Sequence, residues 1–327
     1  MNMKTKKTAT LAAVLLMLQA GLAGAAAPAG KGGPGGFFRT QVGGLEVTAL
    51  ADGVGALPAA LLQGDQALVA ALLKDEGVDP VVMPVPVNAY LVNTGSKLIL
   101  VDAGTGLNWG PPNLGQVMAN LRAAGYTPAQ VDLVLITHVH ADHIGGLVSK
   151  DGKALYPNAV VRMAQADSDF WLSEKIAAGA PADARPFFDV ARKSAAPYIQ
   201  AGRWKPFRDG EPVDAAVSVV PLPGHTPGHV GYRFASGGQQ LLVWGDVVHA
   251  EPVQMAHPDI AFGFDIDPRA ATASRASLFA RLAADGTLVA GAHMPFPGFG
   301  RLRPAGAAYR WAASPYAATA ATTATAP

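Results

Sequence analysis

Three of the chain's eight histidines fall in one short stretch, Thr137-His138-Val139-His140-Ala141-Asp142-His143. Imidazole nitrogen and carboxylate oxygen are the usual donors to zinc and related divalent cations. His138 and His140 are two residues apart, so in an extended loop they project to the same side and can share one cation. Asp142 and His143 follow at once, and neighbouring side chains point differently, which suits a second cation. Further donors come later: His225 and His229 in Gly224-His225-Thr226-Pro227-Gly228-His229, Asp246 after Trp244-Gly245, and His293 after Gly291-Ala292. Any one of these histidines alone reads equally well as a hydrogen-bonded core or surface residue; the cluster does not. Two cations sharing a water would lower its pKa from about 15.7 to about 7 and so deliver hydroxide at neutral pH. The chemistry expected is hydrolysis without an amino-acid nucleophile, and the chain has no Gly-x-Ser-x-Gly elbow.

The elements that must position these donors follow from hydrophobic pattern. Residues 131–136 form a short apolar, β-branched run that reads as a buried strand feeding the first histidine loop. Gly145-Gly146, just beyond it, reads as a tight turn. Residues 217–222 precede His225, residues 241–244 precede Asp246, and residues 287–290 precede His293. Each donor therefore sits at or beyond the C-terminal end of a strand, as a site built along one sheet edge requires. The coarse order is strand-rich from 45 to 102, helix at 114–123, strand at 156–163, and helix at 164–177 and 182–201. Strands return over 217–244, a helix spans 268–284, and a last strand carries His293. Strands in two groups with intervening helices imply an α/β fold, two sheets face to face with helices outside, an αββα sandwich. The insertion between 164 and 201 is expected to cover the site.

The series Thr-His-x-His-x-Asp-His, Gly-His-Thr-Pro-Gly-His, Gly-Asp and a late Gly-x-His resembles that of the metallo-β-lactamase fold, over about residues 87–293. The resemblance implies two divalent cations, with zinc the expected metal. His138, His140 and His225 would bind the first, Asp142, His143 and His293 the second, and Asp246 would bridge them. Asp142 and Asp246 are then the expected catalytic carboxylates, Asp142 taking up a proton as the intermediate collapses. Asp102, in Leu100-Val101-Asp102-Ala103-Gly104, matches the family's early aspartate; Asp102 and His229 are expected to support ligands rather than bind metal. His249, three residues after Asp246, is expected at the mouth of the site in contact with substrate.

The chain has no cysteine, which sets it apart from the zinc β-lactamases with a cysteine ligand. Residues 45–53, 87–98, 169–173, 243–246 and 296–300 are similar to methyl parathion hydrolase and its relatives, whose pocket over the metals is aromatic. The matching residues are Trp109, Trp171, Phe187 and Phe188. Where leucines line that enzyme's pocket, this chain carries His249 and Phe264, which leaves less room for a tetrahedral phosphorus and favours a flat aryl ester or lactone. The expected function is that of an exported dinuclear hydrolase of lactones or aryl esters. Organophosphate triester hydrolysis is the alternative, with β-lactam cleavage or non-catalytic zinc binding behind it. A homodimer is implied by the resemblance alone.

Composition bounds the rest. Net charge is +1, with 50% hydrophobic and 15% charged residues, which allows a large core. No basic stripe with interleaved aromatics is present, so nucleic acid is not an expected partner. Lys4, Lys6 and Lys7, an apolar run over 8–18 and Ala23-Gly24-Ala25 read as a signal peptide over residues 1–25, implying the bacterial periplasm or medium. Residues 26–36 read as a flexible lead-in, 37–311 as the hydrolase domain, and 312–327 as a disordered Ala/Thr-rich tail. No other apolar stretch is long enough to span a membrane. Without disulfides, stability must come from the core and the metals.

Overall fold

A computed structural model describes residues 35–107 and 109–315. The expected signal peptide, the expected lead-in up to residue 34 and the expected tail from residue 316 lie outside the described residues. One six-stranded sheet runs, in spatial order, β1 (Phe37–Val42), β2 (Leu45–Pro58), β4 (Val82–Asn93), β5 (Leu98–Val101), β6 (Leu133–Leu135) and β7 (Val160–Arg162). The second runs β14 (Ala308–Ala313), β13 (Phe299–Ala305), β12 (Leu288–Ala290), β10 (Gln239–Val243), β9 (Val230–Ser236) and β8 (Val217–Pro221). A short ribbon pairs β3 (Leu62–Gln63) with β11 (Ala261–Phe262).

Strand periodicity explains the layering. In β5, Ile99 and Val101 pack between the sheets with Tyr232 and Phe234 of β9, while Leu98 and Leu100 point outward to Val117 and Leu121 of helix Val117–Ala123. In β10, Leu241 and Val243 join the inter-sheet core, while Leu242 packs on Leu278, Phe279 and Leu282 of helix Pro268–Asp285. Strands covered on both faces must be apolar throughout, as β5, β6 and β10 nearly are. The parallel pairs β5–β6 and β10–β12 are joined by those same two helices as crossovers. The αββα sandwich is therefore the observed architecture.

Several elements differ from the sequence reading. Helix Gln66–Asp75, N-capped by Asp65 through the Ala67 and Leu68 N–H groups, lies inside the stretch read as strand-rich. Its Val69 and Leu73, four residues apart, bury against Leu62 and Phe262; the helical spacing is hidden by surrounding apolar residues. The helical stretch 164–177 is two helices, Gln165–Trp171 and Glu174–Gly179, broken where Ser173 caps the second through the Ile176 N–H. The strand expected over 156–163 shrinks to β7. The strand expected to be the last and to carry His293 is β12, which ends at Ala290 and is followed by β13 and β14, so His293 lies on the turn beyond β12. β14 runs through Ala313, into the segment expected to be tail. Gly145 and Gly146 are not turn glycines: neither has a positive φ. A Cβ on Gly146 would collide with the Ala103 carbonyl oxygen, and one on Gly145 with that of Thr105. They let two backbones touch. Among the described residues, no helix is long and apolar enough to cross a membrane.

Candidate metal centre

The first donor loop leaves β6 and is fixed at both ends by one carboxylate. Asp102, just past β5, accepts the Thr137 N–H at 2.8 Å, the Thr137 hydroxyl at 2.9 Å and Nδ1–H of His143 at 2.8 Å. It does so from the left-handed backbone region, φ 60°, the one non-glycine residue among those described to adopt it. Such a conformation costs about 1 kcal/mol or more and persists where the surroundings fix it. The chain bends at Thr137 and His138, is extended at His140 and then turns into the short helix Ala141–Ile144, which brings the His143 ring within 4.1 Å of that of His138, centroid to centroid.

Hydrogen bonds to the far side of each ring fix its tautomer. His225 donates Nδ1–H to Asp265 Oδ1 at 2.8 Å, and His293 donates Nδ1–H to the Pro86 carbonyl at 2.7 Å. The Thr137 hydroxyl proton is held by Asp102, so His138 Nδ1–H donates to Thr137 Oγ1 at 3.1 Å. With His143 bound to Asp102, four imidazoles present a bare Nε2 lone pair. These converge on Asp246: His138, His225 and His293 lie 3.4, 3.2 and 3.0 Å from Oδ2, and His143 lies 3.1 Å from Oδ1. Lone pairs at that range repel unless positive charge lies between them. His138 Nε2, His143 Nε2 and Asp246 Oδ1 are buried with no hydrogen-bond partner. A cation pair fits this donor set. His138, His140, His225 and Asp246 form one group, and Asp142, His143 and His293 another, with ligand atoms in each group within 4.8 Å of one another.

The electrostatics agree. Burial opposes charge on His225, yet the carboxylates of Asp246 and Asp265 beside it push it up to about 9. Burial likewise opposes the ionised form of Asp246, but the surrounding histidines, His143 first, hold its carboxyl well below the usual range. The cluster draws in positive charge, as protons or as metal. His229 is different: Nδ1–H donates to the Leu222 carbonyl at 2.9 Å, and Nε2 accepts the Asp246 backbone N–H at 2.9 Å. Both nitrogens are occupied, burial drives its pKa down to about 3, and it supports the site without being able to ligate.

Three supporting residues escaped the sequence reading. Asp167 is fully buried and accepts the Val139 N–H at 2.8 Å, the Thr226 hydroxyl at 2.9 Å and the Gly228 N–H at 2.6 Å, tying the first donor loop to the second. Burial pushes its pKa up. Asp265 orients His225. Arg275, 1% exposed, donates to the carbonyls of Val247, Pro258 and Ile260 at 2.6, 2.9 and 2.8 Å, pinning the segment that carries His249 and Phe262. Its position was readable: with Ala271, Leu278 and Leu282 it completes the buried stripe of its helix.

A cavity of about 670 Å³ adjoins the cluster. Trp109, Trp171, Phe187, His249 and Phe264 line it, with Leu57, Leu61, Val85 and Val87 as an aliphatic side. Asp142, Asp183, Asp246, Asp265, His140, His225 and His293 also reach it, and among the described residues no lysine or arginine does. Trp171 and Phe187 come from the 164–201 insertion. Phe188 is a correction: it is buried against Trp171 and Phe170, with ring centroids 4.8 and 5.7 Å away, and does not line the cavity. Successive residues on a helix diverge by about 100°, so Phe187 and Phe188 cannot face the same space.

A family model described as the metallo-beta-lactamase superfamily matches residues 82–293, more than half of the chain. The fold is similar to a crystal structure described as the hydrolase AbOPH in the beta lactamase superfamily, with 35% identity, a TM-score of 0.83, and coverage of 88% of this chain and 100% of that one. It is also similar to AidC, described as a dizinc quorum-quenching lactonase in complex with a product, with 27% identity, a TM-score of 0.80, and coverage of 86% and 99%. Among curated proteins, an acyl-coenzyme A thioesterase, MBLAC2 of Gallus gallus, is 28% identical over 170 residues, 50% of this chain and 57% of that protein. The chain spans less than two thirds of the length of the curated relatives it matches.

Proposed function

The chain belongs to the metallo-beta-lactamase superfamily, and from that membership we propose that it is a dinuclear hydrolase of lactones or aryl esters in the methyl parathion hydrolase-like subgroup. His138, His140 and His225 would hold one cation and Asp142, His143 and His293 the other, with Asp246 within reach of both and zinc the expected metal. When bound, such a pair supplies an acidified water and an electrophile for the oxygen of the scissile bond.

The chain's own groups then set the substrate. The observation that carries the reading is the charge inventory of the cavity: aromatic and aliphatic walls beside the cluster, four carboxylates (Asp142, Asp183, Asp246 and Asp265) and, among the described residues, no lysine or arginine. A β-lactam carboxylate or the phosphates of an acyl-coenzyme A would find no lysine or arginine there among the described residues, whereas a neutral aryl ester or lactone needs none. Trp109 and Phe187, with ring centroids 5.3 Å apart, offer a flat ring an edge and a face. Asp142 reaches the cavity and is placed to take up the proton. Burial raises its pKa, but His143 and His293 hold it below the usual carboxylate range, so it is a weak base. That favours leaving groups, such as phenolates, that need little help from an acid. Triester hydrolysis is the second reading, supported by the same lack of lysine and arginine among the described lining residues and opposed by the bulk of His249 and Phe264.

Dihydrocoumarin, methyl parathion, nitrocefin and an acyl-coenzyme A, compared by kcat/KM on one metal-loaded preparation, test the proposal. Dihydrocoumarin should lead; a strong preference for any of the other three would overturn it.

A further inference from the structure

We propose that His249 is a positioning residue that holds the carboxylate of Asp246 by donating Nε2–H to Oδ2. The proposal rests on the dinuclear reading above. Four imidazole Nε2 atoms surround Asp246 Oδ2: those of His138, His225, His249 and His293, at 3.4, 3.2, 3.2 and 3.0 Å. Three of them have Nδ1 bound to an acceptor (Thr137 Oγ1, Asp265 and the Pro86 carbonyl), so the ring proton sits on Nδ1 and Nε2 faces the carboxylate as a lone pair. His249 alone has a buried Nδ1 with no hydrogen-bond partner. Its one proton gains a hydrogen bond only on Nε2, where Oδ2 accepts it. A charge-assisted bond of this kind is about twice as strong as a neutral one.

The ring is held for that task. It stacks on Phe262 with centroids 4.0 Å apart and planes 12° apart, and His293 lies on it at 5.0 Å and 24°. Its backbone N–H donates to Gln254 Oε1 at 2.7 Å, and the Gln254 amide donates onward to the Ile260 carbonyl. The side chain is 4% exposed. A residue that merely lined the cavity would need none of this. The effect should reach both cations, because Asp246 belongs to both.

Metal-free wild-type, His249→Phe, His249→Met and His249→Gln proteins, titrated with cobalt(II), provide the test. Stoichiometry, affinity against a competing chelator and the visible d–d bands are the readouts, with melting of the metal-free proteins as the check on folding. Two equivalents should bind to every variant. Phe and Met, which lack the donor, should weaken cobalt binding about tenfold or more, in the range seen when a ligand's supporting partner is lost, and should shift the bands. Gln, whose amide N–H can occupy the place of Nε2–H, should recover most of the affinity. If one donor-free variant fails to fold, the other carries the comparison. Wild-type affinity and bands in a folded donor-free variant would overturn the proposal. So would loss of one whole equivalent, which would make His249 a ligand. A wild-type protein that binds fewer than two equivalents would overturn both this proposal and the dinuclear reading.

Discussion

The backbone N–H of Asp246 donates to Nε2 of His229 at 2.9 Å. An imidazole four residues from a proposed ligand, His225, thus holds the peptide of the central carboxylate in place. The carboxylate at the middle of the cluster is fixed from behind as well as by the ligands around it.

Replacing His229 by Ala should leave two metal equivalents bound but weaken them by about 10–100-fold, the usual effect of losing a supporting partner. The orphaned Asp246 N–H should cost about 1–3 kcal/mol of stability in addition. Elemental analysis after dialysis against graded chelator, together with urea unfolding, measures both.

Asp246→Ala and His293→Ala should differ in kind. Asp246 lies within 3.4 Å of histidines from both groups, so its loss should empty both sites. His293 belongs with Asp142 and His143, so its loss should leave one equivalent bound. Metal-to-protein ratios after desalting decide this, and two tightly held equivalents in Asp246→Ala would refute the ligand assignment.

Arg275→Met should lower stability by about 2 kcal/mol or more without removing any ligand. The substitution keeps much of the side-chain volume but leaves the carbonyls of Val247 and Pro258 without this donor, while Ile260 keeps the Gln254 amide, at about 1–3 kcal/mol for each carbonyl left buried and unsatisfied. The midpoint of urea unfolding is the readout.

Gly146→Ala should be among the most damaging single-methyl additions in the chain. Its Cβ meets the Ala103 carbonyl oxygen, a backbone atom that cannot rotate away. Overpacking of this kind costs about 1–3 kcal/mol or more. Because Asp102 precedes that carbonyl, metal affinity should fall together with the melting temperature.

Much of the donor set was legible in the sequence because it is local. Two-residue spacing puts His138 and His140 on one side of an extended segment, and an apolar run before His225, Asp246 and His293 marks a strand whose end lies at a sheet edge. The same local logic misread Gly145 and Gly146, since nothing nearby in the chain reveals the Ala103–Thr105 backbone pressed against them. It also left Phe187 and Phe188 equivalent, until the rotation of their helix sent one to the cavity and the other into the core.

Asp167, Asp265 and Arg275 mark the other side of the division. Their residue types suit a solvated surface as well as a buried hydrogen-bonded role; the stripe of its helix marks Arg275 as buried, but only the partners decide what each side chain does. Those partners, Val139 and Gly228 for Asp167 and Val247 and Ile260 for Arg275, lie 15 to 61 residues away along the chain. Sequence alone determined which atoms could bind a cation and which strands would carry them, because spacing and hydrophobic period act over a few residues. Tertiary structure decided where each ring keeps its proton, because that depends on which acceptor the folded chain places behind it.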